Sequence, residues 1–300
     1  MKIAFFGGSE FSVYVLNELK AHGILPGLII TTPDKPKGRK LVLTPTPVKV
    51  WAQKNDIEVI DPSSLKKDNA SLLYKLQALS FNLFLVASYG KIIPKEIFNI
   101  PEKKTLNIHP SLLPKYRGAS PIQSQILNDA GSPEHGGGVG VTIMQIDEGM
   151  DTGPVVILKN IVTESWPLGR KELEKILATE GARLFAHILP EWIKGAIDPI
   201  IQNEDEAIYC KKVEKEDGEI QIDLNNPPTD KVAYQNLLKI KAFEEWPTAY
   251  FFVERNDKKM RVIITDATIK NDILKILKVI PEGKKEMIFE DFLRGWKNQK

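Results

Sequence analysis

The sequence is poor in cysteine and in long apolar runs, and each scarcity excludes a class of protein. Cys210 is the one cysteine among 300 residues, so an internal disulfide and a zinc site built on paired cysteines are both excluded. A single thiol is typical of the reducing cytosol, and we predict a cytoplasmic protein without a bound metal. No apolar run approaches the roughly 18 residues of a membrane span, and residues 2–6 are too few for a signal-peptide core. We expect no membrane partner.

The sequence also has little net charge and no complete dinucleotide-binding fingerprint. The formal net charge is +2 and the pI is about 8.3. The net charge of the whole chain therefore does not indicate nucleic-acid binding, although a small total can hide a local basic patch. Gly7 and Gly8 follow the first apolar run without a third glycine, and no acidic residue follows the second run at the expected spacing. NAD binding is therefore not predicted.

Strand and helix signals alternate through the first two thirds of the chain. Seven short apolar runs predict strands, at residues 2–6, 25–32, 57–60, 83–87, 106–108, 139–146 and 155–158. Amphipathic segments between them predict helices, and a long one at residues 168–192 closes the region. This pattern predicts an α/β, Rossmann-like domain whose mostly parallel sheet is covered by helices. In such sheets, ligands bind beyond the carboxyl ends of the strands.

The pattern changes after the long helix. Prolines bracket a connection, and the runs after it are short and separated by turn signals, at residues 219–222, 249–253, 261–264 and 273–279. They predict a small OB-like β-barrel with one helix at residues 232–242. We therefore expect a catalytic domain over residues 1–189, a linker over 190–206 and a C-terminal domain over 207–300.

Two polar stretches are candidates for chemistry. In TLNIHPSLLPKYRGASPIQ (105–123), Asn107 and His109 share one face at a strand's carboxyl end. A carboxamide can donate to a developing oxyanion, and an imidazole can donate or move a proton. In GVTIMQIDEGMDTGPV (140–155), Asp147, Glu148 and Asp151 are candidate acid/base carboxylates. A lone histidine is more often structural, and an acidic turn is often only solvated. The residues alone therefore predict an Asn/His/Asp site without specifying the reaction that it catalyses.

The same two stretches resemble the signatures of the folate-dependent formyltransferase family. The similarity extends in order over nearly the whole chain, through MKIAFFGGSEFSVYVLNEL, TTPDKPKGRKLVLTPTPVK, VASYGKIIPKEI, AIYCKKVEKEDGEI, EEWPTAYFF and PEGKKEMIFEDFLRG. In these segments it is closest to the branch that formylates methionyl-tRNA. The resemblance implies 10-formyltetrahydrofolate as donor, initiator methionyl-tRNA as acceptor and no metal, and we expect a monomer.

The resemblance also implies roles for individual residues. The catalytic trio maps onto Asn107, His109 and Asp151. The residues expected to bind folate are Ser111, Leu112, Leu113, Pro114, Val86, Ala87, Ser88, Tyr89 and Gly90. The residues expected to bind tRNA are Lys35, Lys37, Arg39, Lys40, Lys211, Lys212 and Arg261. The cations at residues 35–40 lie in a predicted loop over residues 33–47 that is rich in proline and lysine, and from charge alone this basic loop would be only a solvated loop.

Two segments depart from the family pattern. Residues 128–138 are longer than expected between the two signatures and predict a flexible insertion. The C-terminal domain is shortened between residues 265 and 277, as if a hairpin were trimmed. Residues 258–300 still hold eleven Lys and Arg against six Asp and Glu, as expected for a nucleic-acid platform.

Three alternative functions would account for part of the same sequence motifs. The acceptor could be an amino sugar or a purine-pathway amine, although a small acceptor needs neither a basic loop nor a C-terminal domain. A hydrolase that passes the formyl group to water usually has a regulatory N-terminal extension, which we do not find. A tRNA-binding module without catalysis would not need the intact set of Asn107, His109 and Asp151.

Overall fold

The computed structural model describes residues 1–38, 41–65, 69–135, 138–255 and 258–297. The chain divides into two compact units, each discontinuous in sequence. Unit 1 comprises Met1–Gly118, Val139–Ile161 and Glu174–Tyr209, and unit 2 comprises Ala119–Gly138, Val162–Leu173 and Cys210–Lys300. Residues 190–206, which the sequence predicts to be a linker, belong to unit 1, and Gln202 within them is buried. The predicted domain boundaries at 189 and 207 stay a prediction.

The secondary structure follows the predicted alternation closely. The strands are β1 (Ile3–Gly7), β2 (Leu28–Ile30), β3 (Lys35–Lys37), β4 (Val42–Thr44), β5 (Val59–Ile60), β6 (Leu83–Ala87), β7 (Thr105–His109), β8 (Arg117–Gly118), β9 (Val139–Gln145), β10 (Val155–Ile161), β11 (Tyr209–Cys210), β12 (Tyr250–Arg255), β13 (Lys258–Lys270), β14 (Ile273–Pro281) and β15 (Met287–Ile288). The helices are α1 (Glu10–Ala21), α2 (Pro47–Lys54), α3 (Asn69–Leu79), α4 (Lys95–Phe98), α5 (Pro121–Leu127), α6 (Arg170–Lys194), α7 (Asp230–Ala242) and α8 (Phe289–Lys297).

Unit 1 is built on a seven-stranded sheet with the order β10-β9-β7-β6-β1-β2-β5. The five strands from β7 to β5 are parallel, and β9 and β10 run antiparallel at one edge. Every residue of β1 and β6 is buried, which explains why these strands are continuous apolar runs rather than alternating ones. The predicted mostly parallel, Rossmann-like sheet is confirmed.

The strand order reverses between β1 and β6, and this reversal creates a crevice at their carboxyl ends. Ser12, at the start of α1, holds the two sides of the crevice together. Its hydroxyl donates to the Ala87 carbonyl at 2.6 Å and accepts from the Gly8 amide at 3.1 Å. A Cβ at Gly7 would lie 2.8 Å from this serine and 2.5 Å from the Phe5 ring. Glycine is thus required where α1 approaches β1.

Unit 2 contains a separate antiparallel sheet with the order β12-β13-β14-β15, and α7 confirms the predicted helix. Glu219 bridges Tyr250 in a parallel sense, so residues near Glu219 lie beside β12. Strands β13 and β14 are joined through Asn271 and Asp272, which have φ angles of 50° and 58°. Such a two-residue turn suits Asn and Asp, and it is where the sequence predicts a trimmed hairpin.

The insertion predicted at residues 128–138 has an anchored start within unit 2. The buried Asp129 carboxylate accepts from the Trp166 indole at 2.6 Å and from the Tyr234 hydroxyl at 2.8 Å. Residues 136 and 137 lie outside the described residues. A buried carboxylate requires such donors, because leaving it unpaired would cost several kcal/mol.

The basic segment of unit 1 differs from its prediction. The sequence predicts a loop over residues 33–47, but β3 and β4 pair there as a short antiparallel hairpin. Its strands have three residues each, and their side chains are largely exposed. A hairpin this short buries no apolar face, so the sequence lacks the alternation by which strands are recognised.

Candidate active site

Strand β7 presents two polar side chains at the carboxyl edge of the sheet in unit 1. Asn107 and His109 are two residues apart in the strand and therefore point to the same side. His109 is buried, with 3% of its surface exposed. Asn107 is half-buried, and its carboxamide makes no hydrogen bond with any residue that the structure describes. That carboxamide is free to donate to a ligand in the crevice.

The imidazole of His109 is held in one orientation. Its Nε2 lies 3.0 Å from the carbonyl oxygen of Tyr116. Because a carbonyl can only accept, Nε2 carries the hydrogen, and Nδ1 is the nitrogen with a free lone pair in the neutral ring. Nδ1 lies 3.6 Å from Asp151 Oδ2, which is too long for a hydrogen bond but close enough for electrostatic attraction after protonation. A proton taken up by His109 would enter on the side of Asp151.

Asp151 is the carboxylate that the structure brings to His109. The other two candidates are engaged elsewhere: Asp147 accepts from the Gly149 amide and the Thr152 hydroxyl, and Glu148 pairs with Lys95. Asp151 Oδ2 accepts from the Gly118 amide at 2.8 Å. The residues alone do not select one of the three carboxylates. The conformation of the acidic loop brings Asp151 to His109 and directs the other two elsewhere.

The backbone of this loop is unusual at Asp151 itself. Asp151, between Gly149 and Gly153, has a φ angle of 57°, in the left-handed region. For Asp this conformation is accessible but less favourable than the right-handed one. Gly153 is required for a different reason, because a Cβ there would lie 2.0 Å from the Gln145 carbonyl oxygen. The loop is therefore held close to the end of β9.

Arg117 is a buried cation beneath the site, with 0% of its surface exposed. Its guanidinium donates to Gln202 Oε1 at 3.0 and 2.9 Å, to both oxygens of Glu204 at 2.8 Å, and to the Tyr209 hydroxyl at 2.8 Å. The hydrogen bonds that Arg117 donates to Glu204 outweigh the effect of burial and raise the pKa of Arg117 above its ordinary value. Sequence reasoning missed Gln202 and Glu204, which lie in the predicted linker and have no periodicity or motif to mark them.

The turn predicted to bind folate follows His109. Ser111 and Leu113 are buried, whereas Leu112 and Pro114 are partly exposed. Several polar groups of the turn are already paired: the Leu113 amide donates to Thr142 Oγ1 at 3.1 Å, and this hydroxyl donates to the Ser111 carbonyl at 2.7 Å. Thr142 of β9 therefore satisfies part of the backbone polar groups of this turn. The pairing fixes the shape of the turn beside the site.

The second segment predicted to bind folate lies at the crevice. Val86, Ala87 and Tyr89 are buried, while Ser88 and Gly90 are exposed and have φ angles of 52° and 74°. A Cβ at Gly8 would lie 3.8 Å from the carbonyl oxygens of both Ser88 and Tyr89. The two loops therefore face each other across the switch point of the sheet.

The residues predicted to bind tRNA are distributed over both units. Lys35 and Lys37 are exposed on β3, whereas Arg39 and Lys40 lie outside the described residues. Three neighbouring apolar side chains are also exposed, with 71% of Leu41, 60% of Val42 and 68% of Leu43 accessible. The hairpin thus presents cations and apolar groups together.

In unit 2, Lys211 and Lys212 are exposed. Arg261 is held by its neighbours: its guanidinium lies 3.8 Å from the centre of the Tyr250 ring and donates to the Pro247 carbonyl at 3.2 Å. A cation–π contact of this kind contributes about 0.5–2 kcal/mol. Arg261 therefore has a structural role in addition to the tRNA contact that the sequence predicts.

In the part of the chain that the structure describes, no group of three or more His, Cys, Asp or Glu side chains is arranged to hold a metal ion. None of the described helices is sufficiently long and apolar to cross a bilayer.

The chain is similar to known proteins in both sequence and fold. A family model described as formyl transferase matches residues 1–186. The methionyl-tRNA formyltransferase of Dictyoglomus thermophilum is 35% identical over 317 aligned residues, covering 99% of this chain and 97% of that protein.

Two solved structures share the fold. The methionyl-tRNA formyltransferase from Clostridium thermocellum has a TM-score of 0.56 at 18% identity, and the match covers 94% of this chain and 98% of that one. The N-formyltransferase from Helicobacter canadensis, solved with folinic acid and dTDP-3-aminofucose, has a TM-score of 0.61 at 20% identity and covers 90% and 88% of the two chains.

Proposed function

The chain belongs to the formyl transferase family, and from that premise we propose that it transfers the formyl group of 10-formyltetrahydrofolate to the α-amino group of methionyl-initiator tRNA. The product is N-formylmethionyl-tRNA, which serves translation initiation in the cytoplasm. The observation that carries the proposal is the convergence of Asn107, His109 and Asp151 beside the crevice of unit 1, in a chain similar over nearly its full length to a methionyl-tRNA formyltransferase.

The proposed reaction begins when the neutral amine attacks the formyl carbon. A C–N bond forms, and the electron pair of the carbonyl moves to the oxygen. The Asn107 carboxamide, at the end of β7, has no partner among the residues that the structure describes, and we assign it the donation of a hydrogen bond to this oxyanion. Removing one such donor costs about 3–4 kcal/mol, or roughly two to three powers of ten in kcat.

The second step breaks the bond between the formyl carbon and the folate nitrogen. The amine must lose a proton and the folate nitrogen must gain one, so the net change is one proton transferred. His109 is suited to this transfer because Nε2 is fixed by the Tyr116 carbonyl and Nδ1 is free to accept. Asp151, 3.6 Å from Nδ1, would stabilise the imidazolium that forms. It has no hydrogen bond to the ring in this geometry and would act through its charge.

We assign the donor to the crevice at the switch point of the sheet. Parallel α/β sheets bind ligands there, and Ser88 and Gly90 lie on one side of it, with Gly8 on the other. A flat pterin needs backbone at close range with few projecting side chains, which glycine and serine provide. Folinic acid in the structure of the Helicobacter canadensis enzyme supports a folate donor, and the 10-formyl position is our inference from the family resemblance.

We assign the acceptor tRNA to the hairpin of β3 and β4 and to basic side chains of residues 207–300. Lys35 and Lys37 can neutralise phosphates, and the exposed Leu41 and Leu43 can contact bases or ribose. Arg39, Lys40, Lys211, Lys212 and Arg261 complete the proposed set. We also propose that residues 1–189 and 207–300 act as catalytic and tRNA-binding domains of a monomer.

An acceptor assay tests the proposal. The protein is incubated with 10-formyltetrahydrofolate labelled in the formyl group and with charged initiator tRNA, free methionine or an amino-sugar nucleotide. We expect label to pass to the tRNA only. Transfer to a small amine but not to the tRNA would overturn the assignment of the acceptor. Release of formate without any acceptor would indicate a hydrolase, and tRNA binding without transfer would indicate a binding module.

A pair of lysine variants tests the interface. Lys37→Ala removes an exposed cation of the hairpin, and Lys54→Ala removes an exposed cation of α2 as a matched control. We expect Lys37→Ala to raise the KM for tRNA and to reduce the salt dependence of binding by roughly one phosphate contact, while the KM for the folate stays unchanged. Equal effects of the two variants would contradict the assignment of the hairpin.

A further inference from the structure

The buried Arg117 is the middle residue of a tripeptide whose backbone touches both titratable groups of the site. The carbonyl of Tyr116 accepts from His109 Nε2 at 3.0 Å, and the amide of Gly118 donates to Asp151 Oδ2 at 2.8 Å. The Arg117 amide itself donates to the Ile208 carbonyl at 2.8 Å. Any rotation of this tripeptide would therefore move the contacts of the imidazole and of the carboxylate together.

Gln202 connects the Arg117 side chain to the backbone around Asp151. Its Oε1 accepts two hydrogen bonds from Arg117, at 3.0 and 2.9 Å. Its Nε2 donates to the carbonyls of Asp151 and Gly153, at 2.9 and 2.7 Å. A glutamine amide can make four hydrogen bonds, and all four are used. Because arginine only donates and carbonyls only accept, the amide has one possible orientation.

The backbone of Asp151 needs this support. Its left-handed conformation, with a φ angle of 57°, is less favourable for Asp than the right-handed one unless the surroundings impose it. The two bonds from Gln202 fall on the carbonyls of residues 151 and 153, on either side of Thr152. They hold the peptide units that set the direction of the Asp151 side chain. With 7% of its surface exposed, Gln202 makes these bonds away from water, where they are strongest.

We propose that Gln202, fixed by Arg117, is a positioning residue that holds Asp151 opposite His109. This inference rests on the proposed function for the role of Asp151, but not for the geometry of the network. Glu204 lies at the exposed end, with 65% of its side chain accessible. It contributes less, since exposed ion pairs are weak in water. Gln202 contacts the backbone of Asp151 and not its carboxylate, so its effect passes through the position of that carboxylate.

The first test compares two glutamine-to-methionine variants in the full chain. Gln202→Met keeps the length of the side chain and removes its hydrogen bonds, and Gln77→Met makes the same change at an exposed site on α3. We expect kcat of Gln202→Met to fall roughly ten- to a hundredfold, the loss typical of a catalytic group displaced by about 1 Å. The KM for the folate should stay within about twofold, and Gln77→Met should match the wild type. An unchanged kcat in Gln202→Met would overturn the proposal.

A double-mutant cycle with Asp151→Asn separates positioning from a general structural role. If Gln202 acts through the Asp151 carboxylate, Gln202→Met should reduce kcat by less than about twofold in the Asp151→Asn background, because coupled residues are not additive. A full multiplicative loss would show that Gln202 acts elsewhere, and would overturn the proposal. Arg117→Lys keeps the buried charge but loses the two-pronged contact, and we expect a smaller loss of kcat with the same non-additivity. If Gln202→Met does not fold, Arg117→Lys takes its place in the double-mutant cycle.

Amide hydrogen exchange at Gly118 gives a readout that needs no activity. This amide donates to Asp151 Oδ2, so its exchange reports how firmly the carboxylate is held. We expect exchange at least about tenfold faster in Gln202→Met and unchanged in Gln77→Met. If the wild type formylates no acceptor, the proposed function fails, while this measurement still judges the positioning role. Equal exchange in Gln202→Met and the wild type would contradict that role.

Discussion

Replacing Asp151 with asparagine isolates the electrostatic part of the proposed mechanism. The variant keeps the size of the side chain and an oxygen that can accept from the Gly118 amide. It removes the negative charge 3.6 Å from His109 Nδ1. The neutral histidine loses little, because no hydrogen bond joins the two side chains. The imidazolium formed during proton transfer loses its counter-charge, so the penalty falls on the transition state.

The size of this penalty follows from the distance and the burial. At 3.6 Å a pair of unit charges interacts by about 1 kcal/mol in water and by about 4–5 kcal/mol at an effective dielectric constant of about 20. His109 is 4% and Asp151 19% exposed at the side chain, which places the pair between these limits. We take about 3 kcal/mol and expect kcat of Asp151→Asn to fall roughly a hundredfold.

The assay is steady-state transfer of labelled formyl to charged tRNA, with kcat and both KM values determined separately. Asp147→Asn is the matched control, because Asp147 lies in the same loop but accepts from Thr152 and Gly149 rather than facing His109. We expect less than a threefold change in its kcat. If Asp151→Asn keeps a third or more of the wild-type kcat, or if the two variants lose equally, the charge of Asp151 is not what supports the reaction.

Three further predictions concern stability. Tyr89→Phe should raise the free energy of unfolding by about 1 kcal/mol. The Tyr89 hydroxyl is buried without a partner among the described residues, and such a group costs about 1–3 kcal/mol. A lower Tm would show that the hydroxyl has a partner. Gly153→Ala should destabilise the fold by about 1–3 kcal/mol, because the new Cβ would meet the Gln145 carbonyl oxygen at 2.0 Å; an unchanged denaturation midpoint would contradict the close approach of this loop. The hydrogen bond from Arg117 lowers the pKa of Glu204, so this carboxylate stabilises the fold above about pH 4.3, and the stabilisation is lost as the pH falls through the lower folded-state pKa. Glu204→Gln should therefore have the lower Tm at pH 7 and approach the wild type on acidification, and a Tm difference that does not depend on pH would contradict this linkage.

The central sheet can be predicted because its buried strands and covering helices are each marked by a pattern in their own sequence. Strand β6 was predicted with its observed bounds, since a parallel strand buried on both faces is a continuous apolar run between polar breaks. The helix α6 was predicted within two residues at each end, because 3.6-residue periodicity over such a length is a strong signal. The hairpin of β3 and β4 was missed, since its short exposed strands bury no face.

The candidate site was predictable where one strand determines it. The two-residue period of β7 puts Asn107 and His109 on one side, and no distant contact is needed for that conclusion. The choice among Asp147, Glu148 and Asp151 was different. It depends on a hydrogen bond from Gly118 and on Gln202, which is 51 residues from Asp151 in sequence. Pairings of this kind leave no local pattern, so the family resemblance was needed to select Asp151.

The left-handed backbone at residue 151 also limits what can be substituted there. Only glycine, asparagine and aspartate occupy this conformation at low cost, and of the three only aspartate has a negative charge. Glutamate would keep the charge but would strain the main chain and extend the carboxylate by one methylene. A library with all amino acids at this codon, screened for activity, should therefore return aspartate alone.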